Sequence, residues 1–415
     1  MLANFRHVDA VLRSVSALIV FGLALGGHAT AQPADLYDFT GGPADGRAGS
    51  VTSLATGPDG NLYGTSQCGG NAVTDPCTGG YGAIFTLRQP AARGDTWTFE
   101  ILHGFSSNID QGNDPITDPL AIGSDGTLYG TAFDGNLVWS LSPPSFAGGA
   151  WTYQVVHYFE VAVDGLGPTT GVTMDAAGTL YGQTTSGPHP GKAGGGGSVY
   201  ALMPPAPGTT IWSETVLHTF PASYVSLDLG VAPVVSHNRE YVYGMIESAV
   251  TGAFEVFQLH LVGTVWKYSV IYTVPSGLTS FSNLVIDSKR NLYFYALSEQ
   301  YGYGPLLRLS PPPAGEKEWS VSTLTEFTAN YAPTGDLLMD AEGALQGTAV
   351  NRNDAPDAIF ILAPPTSESV PWTFTVIGSF PWGSFPMGVH RGPKKSLIGV
   401  TEFGGLNGYG MFFQQ

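Results

Sequence analysis

One six-residue phrase limits what this chain can fold into more than any other feature. GNLYGT at residues 60–65 returns as GTLYGT at 126–131 and as GTLYGQ at 178–183. Weaker copies follow as YVYGM (241–245), NLYFY (291–295), ALQGT (344–348) and SLIGV (396–400). Aligned on Tyr63, Tyr129, Tyr181, Tyr243, Tyr293, Gln346 and Ile398, the seven copies lie 66, 52, 62, 50, 53 and 52 residues apart. A period near 50 residues belongs to a propeller blade rather than to a short solenoid turn.

Three more elements keep step with the first. AIFTL (83–87), LVWSL (137–141), SVYAL (198–202), EVFQL (255–259), PLLRL (305–309), AIFIL (358–362) and GMFFQ (410–414) have the alternation of strands. A second strand starts at Trp97, Trp151, Trp212, Trp266, Trp319 and Trp372 and ends eight residues later at Phe105, Phe159, Phe220, Val274, Phe327 and Phe380. A third, such as VTSLAT or FSNLVI, precedes each LYGT copy and joins it through turns like PDGN and SDGT. Asp59, Asp125, Asp175, Asp287 and Asp340 are read as turn residues, because Asp and Gly supply Asx-turn hydrogen bonds and positive φ. The 56 Gly, 30 Pro and 12% charged residues suit short strands and tight turns.

Four strands per repeat and seven repeats predict an all-β fold, a seven-bladed β-propeller with four antiparallel strands per blade. Only six Trp-to-Phe strands occur in the body of the chain, and the seventh is expected from LYDF (36–39), which matches LHGF (102–105) and LHTF (217–220). The last blade is thus closed by the N-terminal strand. Residues 1–31 read as a signal peptide: Arg6 and Arg13 precede the apolar run VSALIVFGLAL, and ATA (29–31) has small residues at the cleavage positions. The expected organisation is 1–31 signal peptide and 32–415 a single propeller, secreted or periplasmic, with no membrane span after signal removal.

The repeat resembles that of the GloVer-type tandem-repeat proteins, most closely in blades 1 and 3, with DG at 45–46 and 164–165, then GNLYGT or GTLYGQ, then AIFTL or SVYAL. The resemblance runs from about Leu36 to the end of the chain. It implies an exported repeat protein and no particular chemistry. Members often carry an anchor segment; none is evident here, and release or periplasmic residence is the expectation. Blades 4 and 5, with NREYVYGM and KRNLYFY, depart most from the pattern.

In four-stranded blades labelled A to D, the B-to-C and D-to-A loops share one face and the A-to-B and C-to-D turns the other. The C-to-D connections, such as SPPPAGEKE, are proline-rich and read as rigid and structural. From the tyrosine of strand B to the aromatic of strand C the count is 22, 10, 19, 14, 14, 14 and 14, the last measured to Phe412. Loops that vary on a fixed scaffold are where binding residues concentrate. Trp382 fits no repeat slot. With Tyr81, Tyr301, Tyr303 and Tyr409 on the same face, it is the candidate platform for sugar rings, and His189 is a further loop candidate.

Cys68 and Cys77 are expected to form one local disulfide in an exported protein. Asn108, Asp110 and Asp114 are weak calcium candidates, lacking a bidentate Glu at the expected distance. His103, His157 and His218 occupy equivalent slots and are read as structural. No GxSxG, HExxH, P-loop or dinucleotide fingerprint is present, so no cofactor is expected. Glu247 and Glu402, just after strand B in blades 4 and 7, are the weak catalytic candidates for glycoside chemistry at the propeller mouth. A net charge of −17 with scattered carboxylates speaks against nucleic acid. The sequence therefore favours a monomeric, non-enzymatic scaffold that binds an extracellular glycan or protein through the B-to-C and D-to-A face. A carbohydrate-active enzyme and a structural spacer are the alternatives.

Overall fold

The computed structural model describes residues 31–42, 45, 51–67, 81–92, 95–106, 115–133, 135–146, 148–160, 166–168, 170–186, 196–225, 231–367 and 370–415. The chain is a seven-bladed β-propeller: seven separate antiparallel sheets, each meandering from an inner strand A to an outer strand D. Blade 1 comprises Val51–Thr56, Leu62–Ser66, Ala83–Arg88 and Thr98–Gly104, and blade 2 comprises Pro115–Ile122, Leu128–Ala132, Leu137–Ser142 and Thr152–Tyr158. In blades 3, 4 and 5 strand A comes in two pieces: Leu166–Pro168 with Thr173–Met174, Tyr224–Val225 with Val234–Val235, and Leu278–Phe281 with Val285–Ile286. Strands B to D are Leu180–Ser186, Ser198–Met203 and Ser213–Thr219 in blade 3; Tyr241–Ser248, Phe254–Val262 and Val265–Thr273 in blade 4; and Leu292–Ser298, Pro305–Ser310 and Ser320–Glu326 in blade 5. Blade 6 is Ala332–Met339, Leu345–Val350, Asp357–Ala363 and Thr373–Phe380.

Blade 7 takes His390–Arg391, Leu397–Thr401 and Met411–Gln414 from the C-terminal end and its outer strand, Ala34–Asp38, from the N-terminal end. Ala34 faces Gln414 and Asp38 faces Met411 across this closing pair. The Phe39 N–H donates to the Gly410 carbonyl, as the Phe105 N–H donates to Gly82 and the Phe220 N–H to Gly197. The N-terminal strand thus occupies the same slot as every other strand D.

Each letter of the LYGT phrase has its own place in the packing. Leu62, Leu128, Leu180, Leu292 and Leu345 are fully buried between blades. The tyrosine has two tasks. Its ring packs on the strand-D tryptophan of the next blade, with centroids 5.7 Å apart for Tyr63 and Trp151, 5.6 Å for Tyr129 and Trp212, 5.8 Å for Tyr243 and Trp319, and 6.1 Å for Tyr293 and Trp372. Its hydroxyl donates to the turn aspartate, as from Tyr63 to Asp59 at 2.7 Å and from Tyr293 to Asp287 at 3.1 Å. The same aspartates accept backbone N–H groups of their own turn, as Asp175 does from Ala177 and Thr179, which confirms their structural reading.

The glycine makes room. Gly130 lies opposite Trp139, and a Cβ there would sit 2.4 Å from the indole. Gly64, Gly182, Gly244 and Gly347 likewise face Phe85, Tyr200, Phe257 and Phe360. In blade 7 the partner of Gly399 is Phe413, not Phe412, so the sequence alignment is one residue out there; two adjacent buried phenylalanines offered no way to choose. Blade 5 reverses the sizes, with Phe294 in the glycine slot and Leu307 opposite. The threonine reaches the next blade: Thr131 Oγ1 donates to the Thr170 carbonyl at 3.0 Å and Thr348 Oγ1 to the Pro386 carbonyl at 3.2 Å.

Strand D carries a bulge at one place in all seven blades, where its pairing with strand C shifts register, as between Ile84 and Phe85. The extra residue, Leu102 in blade 1, increases the local twist. The core is correspondingly divided into seven clusters, one per blade interface. The cluster containing Phe39, Phe85, Ile398 and Phe412 joins blades 7 and 1. The strand-C edge of blade 7 is thus covered as it is in every other blade.

Candidate functional site

The strand-A segments of neighbouring blades converge on the axis, and one position along them separates blades 5 and 6 from the rest. Just before the buried residue of strand A stand Ser53, Pro119, Gly171, Ala232 and Gly388 in five blades, but Asn283 in blade 5 and Asp336 in blade 6. Asn283 ties the two blades together. Its side-chain oxygen accepts the Leu337 N–H at 2.9 Å, its amide donates to the Leu337 carbonyl at 3.0 Å, and its own N–H donates to Asp336 Oδ1 at 3.1 Å. Tyr295 adds a hydroxyl bond to the Gly335 carbonyl. Gly335, at φ +62°, lies so close to the backbone of Met387 and Gly388 that a Cβ would sit 2.4 Å from the Gly388 nitrogen. The inner strands of blades 5, 6 and 7 are thereby locked in one arrangement.

Above this floor lies a cleft of about 400 Å³ on the B-to-C and D-to-A face, reaching from Val231 in blade 4 to Glu402 in blade 7. Phe281, Tyr295, Phe385 and Met387 give it apolar walls, and among the described residues Asp336 and Glu402 are its carboxylates. Among the described residues, no lysine or arginine lines it. Among the described residues, Asp336 Oδ2 and the Glu402 carboxylate have no hydrogen-bond partner within the protein. His390, on strand A of blade 7, is held below the usual histidine range by burial, an effect the nearby Asp336 carboxylate opposes.

One wall is the loop between blades 6 and 7, which has an unusual anchor. Asp357 is 1% exposed. Its oxygens accept the Asn351 N–H at 2.9 Å and the Phe385 N–H at 3.0 Å. Burial raises its carboxyl above the usual range, while the backbone N–H groups of Asn351, Phe385, Ser384 and Gly383 oppose the shift. The loop is also paired to the one after strand B of blade 7, through the Glu402 N–H to the Phe385 carbonyl and the Phe403 N–H to the Ser384 carbonyl. Phe385 takes φ +50°, a left-handed conformation disfavoured for an aromatic residue. A buried carboxylate and two strand-like bonds hold it there, with its ring against Phe403 at 5.8 Å.

The residues singled out from the sequence fall into three groups. Glu402 is in the cleft, whereas Glu247, paired with Phe254 and Val225 on strand B of blade 4, does not line it. Trp382 is 60% exposed on the loop beside the cleft without lining it, and Tyr409 packs its ring over Gly41 in the first loop of the chain. Tyr301 and Tyr303 pair with each other at 5.7 Å in blade 5, and Tyr81 is exposed in blade 1. These aromatics therefore sit around the face in blades 1, 5 and 7 rather than on one wall of the cleft. His189, Cys68, Cys77, Asn108, Asp110 and Asp114 lie outside the described residues.

The equivalent histidines pack between outer strands. His103 stacks on Tyr153 at 4.3 Å and His218 on Tyr268 at 4.5 Å, each across a blade interface. Burial lowers both below the usual histidine range. No group of three metal-ligating side chains occurs among the described residues.

No family model matches this chain, and neither does any curated protein. Among solved structures it is similar to the hydrazine synthase of Kuenenia stuttgartiensis at 12% identity and a TM-score of 0.51, covering 91% of this chain and 96% of that one. A Lactobacillus plantarum protein (14% identity, TM-score 0.48, covering 80% of this chain and 85% of that one) and a leech intramolecular trans-sialidase (11%, 0.43, 93% and 70%) are more remote. At such identity the likeness is one of fold, and it is the cleft that has to speak for function.

Proposed function

We propose that this chain is an exported, non-enzymatic propeller that binds a glycan outside the cytoplasm through the cleft of blades 5 to 7. The observation that carries the reading is the combination of two carboxylates, Glu402 and Asp336, the latter with only Oδ1 engaged by the Asn283 N–H, with the apolar walls of Phe281, Tyr295 and Phe385 in one cleft. Sugar rings present just this demand: hydroxyls that donate around the edge and C–H faces that rest on aromatic surfaces. Among the described residues the cleft has no cation to recognise an acidic ligand, and its size falls within the range for small-ligand sites, roughly 300–1,000 Å³. Export rests on the leader-like residues 1–31, which precede a closing strand at Ala34–Asp38. Among the described residues no helix is long and apolar enough to cross a membrane.

The test is a glycan array probed with the chain from Gln32 to Gln415. Phe385→Gly suits the left-handed backbone and removes one wall, so it should abolish the signal without lowering the melting temperature. Signal that survives both Phe385→Gly and Glu402→Gln would refute the cleft as the site.

A second reading has its own observation. Two carboxylates facing one cleft are the minimum for glycoside hydrolysis. Release of reducing ends from a glycan, lost in Glu402→Gln, would establish that activity, and binding without release would exclude it.

A further inference from the structure

We propose that a second pocket, on the opposite face between blades 4 and 5, binds an oxyanion carried by a small ligand. In the A-to-B turns of blades 1, 2, 3 and 6, the residue three before the strand-B reference position is Gly60, Gly126, Gly178 or Gly343, each at φ between 79° and 85°. The equivalent residue of blade 5 is Arg290, at φ +66°. A side chain is disfavoured in this conformation, and this one is a long cation in a chain with 33 acidic and only 16 basic residues.

The guanidinium is held in place. Its carbon lies 4.1 Å over the centre of the Tyr241 ring, and Nη1 donates to Tyr243 Oη at 3.4 Å. Tyr243 is available for this because blade 4 has Ser236 where the turns of blades 3 and 5 have an aspartate to accept the tyrosine hydroxyl. His260 stacks parallel to Tyr241 at 4.3 Å. Arg290, His260, Lys317 and Trp319 then line a pocket of about 240 Å³, whose remaining walls include Gln258 and two prolines.

Among the described residues, no carboxylate lines this pocket. Among the described residues, neither Arg290 nor Lys317 forms an ion pair. Glu316 and Glu318 flank Lys317 in the chain but are not among the lining residues. Two cations and an imidazole around a cavity, in a protein of net charge −17, form a site for negative charge. The volume lies below the usual range for small-ligand pockets, roughly 300–1,000 Å³, so it admits one charged group with a ring at most. A carboxylate, a sulfate or a phosphate meets that description, with Trp319 and Tyr241 beside the ring.

The experiment is calorimetric titration of the chain from Gln32 to Gln415 with inorganic phosphate, inorganic sulfate, glucuronate and, as a neutral control, glucose, at constant ionic strength. At least one oxyanion should give heat that Phe385→Gly leaves unchanged, while any heat from glucose should be unaffected by Arg290→Gly. Arg290→Gly, which places in the turn the residue four other blades use there, should keep the melting temperature and weaken binding by roughly tenfold or more. Lys317→Ala should weaken it too. Stronger binding of phosphate or sulfate would assign a tetrahedral anion, and stronger binding of glucuronate an acidic sugar. Absence of heat with all three oxyanions, or binding unchanged in both variants, would overturn the proposal.

Discussion

The interface between blades 1 and 2 and the one between blades 4 and 5 are made from the same parts, yet only the first is complete in the sequence. At the first, Tyr63 gives its hydroxyl to Asp59 and its ring to Trp151. Burial and the Asp59 carboxylate push its phenol up to about 12. At the second, Tyr243 keeps the tryptophan, Trp319, but has no turn carboxylate and takes Arg290 from the next blade instead. Burial still raises this phenol to about 12, with Arg290 pulling the other way. The ring contact is present at both. The hydroxyl partner is exchangeable, and where it changes a charged pocket opens. Departures from a repeat that leave the packing intact are therefore the places to look for function.

Mutations can press on this contrast. The largest effect is expected from the packing that both interfaces share. Gly130→Val would drive a side chain into Trp139 and cost about 3 kcal/mol, measured as a shift of the denaturant midpoint with an unchanged slope. Trp151→Ala and Trp319→Ala should each cost about 2–3 kcal/mol, below the full range for buried tryptophans because both are half-buried. A large difference between the two would break the claim that the ring contact is common.

The hydroxyl partners should matter less. Asp175→Ala removes an acceptor of two backbone N–H groups and the Tyr181 hydroxyl, and should cost about 1–2 kcal/mol in the same unfolding assay. Arg290→Gly should change stability by less than about 1 kcal/mol, since relief of the left-handed backbone offsets the lost cation–π contact.

The smallest effect concerns pH. Burial holds His103 and His218 below the usual histidine range in the folded state. Their contribution to stability is present above the unfolded value and is lost as pH falls through it toward the folded value. Melting temperature should drop between about pH 7 and 5, and less steeply in His103→Tyr. Tyrosine suits the slot because Tyr37 fills it in blade 7, stacked on Phe99 at 5.5 Å. An equal slope in the variant would assign the acid loss to other groups.

The fold was legible because each letter of the repeat has one packing partner, and that partner repeats at the same distance. Ring closure could be read for the same reason, as LYDF is a recognisable fragment of strand D. The cleft was only half legible. Glu402 drew notice as a carboxylate after a strand, but Asn283, Asp336 and Phe385 did not. Their signal was present in the strand-A alignment, where five blades have Ser, Pro, Gly or Ala and two adjacent blades have an amide and an acid. Its meaning depends on which blades are neighbours and on which loops Asp357 anchors, and single-chain patterns do not give distances across the axis. The proline-rich C-to-D face read as purely structural from the sequence. It nevertheless contains the Arg290 pocket, because a turn residue of blade 5 and strands of blade 4 meet there only in three dimensions.

The most direct test of the account is retention of the chain from Gln32 to Gln415 on a panel of insoluble polysaccharides, run beside Phe385→Gly and Trp382→Ala. Retention lost in Phe385→Gly and kept in Trp382→Ala is the predicted result, and it would place the glycan in the cleft of blades 5 to 7. Failure of the unaltered chain to bind any member of the panel, or loss of binding only in Trp382→Ala, would contradict it.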